Sequence, residues 1–180
     1  MIRFRRSVSF CALAALTVPA MASAQEPRAR EVSGTCVAPL APTGELAAWA
    51  SPVPLAAAGS AEHVGHAALP VGQAATVALR QTPDVRYPLR PEKPGGSVSY
   101  GGLIDVQVVE AGTYRVALGS GAWIDLVRDG KAVGSIGHGH GPECSGIRKM
   151  VDFPLESGRY MLQIAANGAP QVSVLVVRIR

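Results

Sequence analysis

Apolar and polar residues alternate in short segments from Gln73 to the end of the chain. In "LIDVQVV", Ile104, Val106 and Val108 alternate with polar residues, which is the two-residue period of a strand with one buried face. Runs of the same kind follow at short, regular spacing: "ATVALR", "GTYRVALGSG", "AWIDLVRDGK", "RKMVDFPLESG", "RYMLQIAANG" and "PQVSVLVVRIR". The pattern predicts six or seven strands.

Turn residues punctuate these runs and set the fold class. Asp129-Gly130 and Asn167-Gly168 separate apolar runs, and both pairs favour tight hairpin turns. No long helical pattern interrupts the strands, which argues against a parallel α/β sheet. The sequence therefore predicts an all-β fold, an antiparallel, jelly-roll-like β-sandwich over residues 73–180.

Residues 25–72 have a different composition. They are rich in Ala and Pro and poor in strand-forming residues, so we expect an ordered N-terminal arm rather than a sheet. One short helical turn is predicted at "TGELAAWA", with Thr43 as its cap and Glu45 in its first turn. Leu46 and Trp49 are three residues apart, so they would share one face and dock the arm.

The first 24 residues have the pattern of a secretory signal peptide. Arg3, Arg5 and Arg6 precede an apolar run over residues 8–18, and a small-residue site follows that ends at Ala24. This predicts export to the periplasm or beyond, with cleavage near Ala24. The apolar run is shorter than the roughly 20 residues that span a bilayer, and no later run is longer, so no membrane span is expected.

Cleavage would change the charge balance of the protein. The whole chain has 17 basic and 13 acidic residues. Removing the three signal arginines leaves 14 basic against 13 acidic, a net charge near +1. A nearly neutral domain has no basic surface for nucleic acid or anionic lipid, which argues against a nucleic-acid partner.

Two cysteines, Cys36 and Cys144, remain after the predicted cleavage. An even cysteine count in an oxidising compartment favours a disulfide between them. Two free thiols, or Cys144 as a metal ligand beside the histidines, are the alternatives that the sequence leaves open.

The four histidines form two close pairs, His63 with His66 and His138 with His140. Residues two apart on an extended segment point to one side, and imidazoles suit Zn or Cu. The sequence thus predicts a transition-metal site, with further candidate ligands nearby: Glu62, Glu143 and Cys144. The alternative is that both pairs are exposed loop histidines. The second pair would then lie in the long loop "SIGHGHGPECSGIRK".

Other chemistry is weakly represented, and no catalytic residue is predicted. "ECSGI" lacks the pattern of a nucleophile elbow. Asp125 and Asp129 are interpreted as turn formers. Arg148 and Lys149 are interpreted as a solvated strand face, and "RPEKPGG" as a linker between strands.

The strand motifs resemble those of the bacterial pre-peptidase C-terminal domain, a secreted β-sandwich. The segments are "VEAGTYRVAL", "WIDLVRDGK" and "VDFPLESGRYMLQI". Asp125 and Leu126 match the aspartate-leucine strand of that family, and Gly158, Arg159 and Tyr160 match its second signature. The resemblance covers the C-terminal two-thirds and implies a sandwich fold.

The whole chain also resembles a group of small exported bacterial proteins that are sometimes labelled homogentisate dioxygenase. Non-haem iron oxygenases hold iron with two histidines and one carboxylate. The residues of this chain do not have that pattern in an equivalent setting, so they do not support the label.

These observations predict a small exported β-sandwich that binds a ligand rather than transforming it. Zinc or copper held by the paired histidines is the named candidate. A non-catalytic structural or interaction module that contacts envelope protein or polysaccharide is the alternative, and an enzyme of unknown reaction is the third reading.

Overall fold

The computed structural model describes Cys36 and residues 38–179. The predicted signal peptide and its cleavage site lie outside these residues. Eleven strands and three short 3₁₀ helices are found within the described part. The strands are β1 Val53–Ala56, β2 Ala74–Ala78, β3 Arg80–Gln81, β4 Tyr100–Val108, β5 Gly112–Leu118, β6 Trp123–Arg128, β7 Lys131–Ala132, β8 Gly137–Gly139, β9 Lys149–Leu155, β10 Gly158–Asn167 and β11 Gln171–Arg178. The helices are η1 Gly44–Ala50, η2 Ala61–His66 and η3 Thr82–Asp84.

The strands form two sheets that face each other. One sheet has six strands in the order β1-β2-β11-β5-β9-β8, and the other has five in the order β3-β4-β10-β6-β7. All pairs are antiparallel except β1 with β2. The predicted all-β sandwich is confirmed, and the predicted strands correspond to β2, β4, β5, β6, β9, β10 and β11.

The main hydrophobic core lies between the two sheets. Alternate residues of the strands point into it, as Ile104, Val106 and Val108 do from β4. Each sheet also has a smaller apolar cluster on its outer side. Leu46 of η1 packs on the six-stranded sheet, and Val64 of η2 packs on the five-stranded sheet. The two short helices therefore cover opposite outer faces of the sandwich.

The Ala/Pro-rich segment is more regular than the predicted arm, because it contains the strand β1 and a second short helix, η2. β1 adds to the edge of the six-stranded sheet in parallel with β2, and Ala57 and Leu69 enter the main core. The predicted helical turn at residues 43–50 is present as η1, with Leu46 buried and Trp49 packed beside it. Thr43 occupies the cap position, but its side chain makes no capping hydrogen bond.

One predicted hairpin turn is confirmed and the other is wrong. Asp129 and Gly130 both have positive φ, 51° and 73°, and they join β6 directly to β7, as a tight turn requires. Asn167 is instead the last residue of β10 and is buried, with Nδ2 donating to the carbonyl oxygens of Ala169 and Gln171. Its side chain holds a longer loop together, and Ala166 has the positive φ.

The predicted disulfide between Cys36 and Cys144 is present. It joins the start of the described chain to the segment between β8 and β9. The backbone N–H of Leu40 donates to the carbonyl oxygen of Cys144 at 2.9 Å, and Trp49 Nε1 donates to that of Ser145 at 3.0 Å. The segment after β8 is therefore held to the N-terminal segment and to η1 by a covalent bond and by two hydrogen bonds.

None of the helices among the described residues has the length and apolar character needed to cross a membrane.

Candidate binding cleft

A cleft of about 580 Å³ opens between the two sheets beside β6 and β8. It exists because the five-stranded sheet is incomplete at that edge. β7 pairs only with Val127 and Arg128, so the first four residues of β6 have no strand neighbour on that side. β8 is the edge strand of the opposite sheet. The interior of the sandwich is thus accessible from this side.

The floor of the cleft is apolar and belongs to the main core. Ile124, Val151 and Phe153 line it and are also members of the core cluster. Val133 packs against the same cluster from the segment after β7. A ligand in the cleft would therefore place an apolar surface against residues that are already ordered by folding.

The rim of the cleft is cationic and surrounds an indole ring. The Nζ atoms of Lys93 and Lys149 lie 5.4 and 5.6 Å from the centroid of the Trp123 ring, within the range of cation–π attraction. Arg148 also lines the rim, and Asp125 is the one carboxylate among the lining residues that the structure describes. Two lysines and one arginine thus line the rim, against Asp125 in the lining and Glu92, whose charge reaches Asp125 from outside it.

The burial of Lys149 and Asp125 changes how readily each is charged. Burial lowers the pKa of Lys149, and the nearby charge of Lys93 lowers it further, while Asp125 partly opposes this shift. Burial also raises the pKa of Asp125, against hydrogen bonds from Trp123 and Gln163. Both shifts mean that the folded protein stabilises these charges less well than water does.

Hydrogen bonds fix the positions of these groups. Lys149 Nζ donates to the carbonyl oxygen of Ala122 at 2.9 Å, and Trp123 Nε1 donates to Asp125 Oδ2 at 3.0 Å. Gln163, which is buried, donates from Nε2 to the carbonyl oxygen of Leu89 and so holds the segment that leads to Lys93. The rim is therefore largely formed before any ligand binds.

His138 and His140 both line this cleft, in agreement with their predicted placement on one side. Both rings are exposed. The Nδ1 atom of His140 lies 2.8 Å from the carbonyl oxygen of Arg148. Because a carbonyl oxygen only accepts hydrogen bonds, Nδ1 carries the proton, and Nε2 of the neutral ring is left as the acceptor or ligating atom. The loop predicted around these residues contains the short strand β8, which pairs His138 with Val151.

The structure places the other histidine pair at a different site. His63 lies on η2, over β4 on the outer side of the five-stranded sheet, and lines a separate cavity with Arg80 and Arg86. Strand β10 separates β4 from β6, and two strand spacings already amount to about 9–10 Å. His63 Nδ1 is hydrogen-bonded to Ser60 Oγ. The four histidines are therefore not gathered at one point.

The remaining candidate metal ligands do not complete a site either. In the part of the chain that the structure describes, no three His, Cys, Asp or Glu side chains are arranged to hold a metal ion. The sulfur of Cys144 is bonded to Cys36, so it is not a free thiolate. Glu143 and Glu62 are exposed on the two separate segments.

The charged residues and the indole ring of the cleft were not identified from the sequence. Lys149 was expected on a solvated strand face, yet it is half-buried and hydrogen-bonded inside the rim. Asp125 was expected in a turn, yet it lies within β6 and accepts a hydrogen bond from Trp123. Lys93 was expected in a simple linker. The one available signal was the spacing Trp123-x-Asp125, which puts both side chains on one side of a strand.

Comparison of the sequence with protein-family models and with curated proteins finds no match. The resemblance to the pre-peptidase C-terminal domain therefore stays a prediction.

Proposed function

We propose that this protein is an exported, non-catalytic binding protein that holds a small organic anion in the cleft beside β6 and β8. The observation that carries the proposal is the combination of an apolar floor with a rim of three cations around Trp123. Pockets of about 300–1,000 Å³ with an apolar lining and a few convergent polar groups are typical ligand sites. A volume near 580 Å³ falls in this range.

The charges favour an anion over a neutral or cationic ligand. Lys93, Arg148 and Lys149 outnumber Asp125, and no ion pair among the described residues involves any of these three cations. The half-buried Lys149 is already poorly solvated, as its lowered pKa indicates. A carboxylate, sulfonate or phosphate on the ligand would give that ammonium group a charged partner in addition to the Ala122 carbonyl.

The experiment uses two fluorescent probes that share an apolar body. Anilinonaphthalene sulfonate carries a negative charge, and phenylnaphthylamine does not. We expect the charged probe to bind the wild type about tenfold more tightly, equivalent to about 1.4 kcal/mol. Lys149→Met keeps the unbranched stem but removes the charge, so it should abolish this preference. Asp125→Asn, which removes the one acid of the lining, should strengthen it.

Lys131→Met is the matched control, because Lys131 is an exposed lysine of β7 that does not line the cleft. It should leave both affinities unchanged. Equal binding of the two probes by the wild type, or equal effects of Lys149→Met and Lys131→Met, would contradict the proposed function.

A transition metal at His138 and His140 is the second candidate function. One observation favours it: metal-ligating histidines almost always donate their other ring N–H to an oxygen, and His140 donates from Nδ1 to the Arg148 carbonyl. Zinc should then survive dialysis of the wild type and be lost from the His138→Ala/His140→Ala variant. His63→Ala/His66→Ala is the control. Equal zinc content in all three proteins would exclude this candidate.

A further inference from the structure

A second groove, of about 650 Å³, adjoins the cleft on the outer side of the six-stranded sheet. Trp49, Thr76, Gln171 and Ser173 line it. Gly121 and Arg148 line both the groove and the cleft. We propose that the two form one continuous binding track, and that its ligand is an extended chain of acidic sugars. This inference rests on the proposed function, because it extends the ligand of the cleft.

The junction between the two halves is open and carries a charge. A side chain at Gly121 would meet no other atom within 4 Å, so nothing there obstructs a ligand. The backbone of Arg148 is fixed by its N–H donating to Leu118 and by its carbonyl accepting from His140. Its side chain is exposed, and its guanidinium makes no ion pair within the described residues. Arg148 is thus available to both halves.

The groove has the polar character of a sugar site rather than that of an ion site. Its lining combines hydroxyl and amide groups with an indole ring, and it contains no carboxylate. Hydroxyl and amide side chains both donate and accept hydrogen bonds, as sugar hydroxyls do. Indole is a large, rigid apolar surface on which the C–H face of a sugar ring packs. Trp49 is held in place by its hydrogen bond to Ser145.

Each half of the track has one indole ring, Trp123 in the cleft and Trp49 in the groove. A chain of sugars offers a repeated C–H face, so it matches two separated rings. Acidic sugars add a carboxylate for the lysines of the cleft.

An extended peptide fits the groove less well. Peptides of that kind usually add to a free sheet edge. The free edges of β6 and β8 lie at the cleft, whereas the strands under the groove, β2 and β11, are paired on both sides.

The experiment measures affinity against ligand length by calorimetry, with galacturonate oligomers of roughly two and six units. The shorter oligomer fills only the cleft, and the longer one spans the junction. In the wild type we expect the longer oligomer to bind at least about tenfold more tightly, because its second half binds as an intramolecular event. Gly121→Leu places a side chain at the junction, and it should remove this gain, so that the longer oligomer binds no more tightly than the shorter one.

Gly96→Leu is the matched control. Like Gly121, Gly96 has no atom within 4 Å of an added side chain and no positive φ, but it lines neither half of the track. It should preserve the length dependence. Unfolding curves of both variants show whether either change disturbs the fold.

The outcomes separate this inference from the function on which it rests. Equal affinity of short and long oligomers in the wild type would overturn the track and leave the cleft intact. Equal binding of a neutral glucose oligomer would overturn the acidic class. A polyglutamate peptide that binds more tightly than the galacturonates, with the same loss in Gly121→Leu, would replace the glycan by an acidic peptide. Failure of the naphthalene probes would instead refute the proposed function.

Discussion

Tyr87 illustrates how strongly one side chain can depend on its surroundings. Its hydroxyl donates to the carbonyl oxygen of Ile164 at 2.9 Å, and it lies against Gly101, where any side chain would collide with it. Burial raises the pKa of Tyr87 to about 12 from the ordinary value near 10. Between about pH 10 and 12 the phenol is therefore protonated in the folded protein and ionised in the unfolded chain.

The pKa of Tyr87 predicts a specific loss of stability in alkali. Between about pH 10 and 12 ionisation of this phenol stabilises the unfolded state but not the folded state. The free energy of unfolding should therefore fall as pH rises through that window. Tyr87→Phe should lower the free energy of unfolding by about 1 kcal/mol at neutral pH, because it removes the hydrogen bond. Its free energy of unfolding should then fall less in alkali than that of the wild type. Urea unfolding at several pH values measures both. An alkaline decline identical to that of the wild type would refute the prediction.

Ala166 has a backbone conformation that alanine rarely adopts. Its φ is +55°, and the register of β10 with β4 shifts between Ile164 and Asn167. A left-handed conformation costs a non-glycine residue about 1–2 kcal/mol, and glycine avoids this cost while losing about 0.5–1 kcal/mol of chain entropy. Ala166→Gly should therefore raise the free energy of unfolding by about 0–1.5 kcal/mol.

Ala165 is the matched position for this test. It is fully buried and has no positive φ. Ala165→Gly should lower the free energy of unfolding by about 1–2 kcal/mol, from the lost methyl burial and the added chain entropy. Denaturant titration of the two variants compares them directly. Equal losses in both would mean that Ala166 is not strained.

The helix η1 is docked on the six-stranded sheet through its one buried residue, Leu46. Leu46 is 5% exposed and packs with Ile147, Leu175 and Val177 on the outer side of the six-stranded sheet. Leu46→Ala should lower the free energy of unfolding by about 2–4 kcal/mol. Leu40→Ala is the control, because Leu40 is 62% exposed and its loss should cost less than about 0.5 kcal/mol. Similar losses would show that η1 is not docked through Leu46.

The strands were predictable where their alternation was long. β4, β10 and β11 are eight to ten residues long, which is enough for the spacing of their apolar residues to be read without a structure. β1 and β8 were missed because four and three residues are too few to show a period. The Asn167-Gly168 turn was wrong because β10 and β11 belong to different sheets, so the chain crosses between the sheets in a loop that the side chain of Asn167 holds together.

The cleft was only partly predictable, because most of its charged and aromatic residues are far apart in the sequence. His138 and His140 were identified because they are neighbours in sequence. Lys93, Trp123 and Lys149 belong to three separate segments, and only the pairing of β6 with β10 and of β9 with β5 and β8 places two of them around one opening. Local patterns contain no information about that arrangement. The disulfide was predictable because Cys36 and Cys144 are the two cysteines outside the predicted signal peptide.

At the scale of the whole molecule, the disulfide joins parts that the sheets do not join. Cys36 precedes all the described strands, and Cys144 follows β8, the edge of the six-stranded sheet. The bond closes a loop with a sequence separation of 108 residues. The cores between and outside the sheets include neither cysteine. Its contribution to stability should therefore come from the unfolded chain rather than from packing.

The double variant Cys36→Ser/Cys144→Ser tests this origin. The chain-entropy model assigns about 4–5 kcal/mol to a loop of this length, so the free energy of unfolding should fall by up to that amount. The tryptophan bands in the near-ultraviolet circular dichroism of the folded variant should match those of the wild type, because Trp49 is held by its hydrogen bond to Ser145 and by the outer cluster rather than by the bond. Reduced wild type should behave like the variant. A small loss of stability accompanied by a changed aromatic spectrum would contradict the argument, since the bond would then act by ordering the native structure around Trp49.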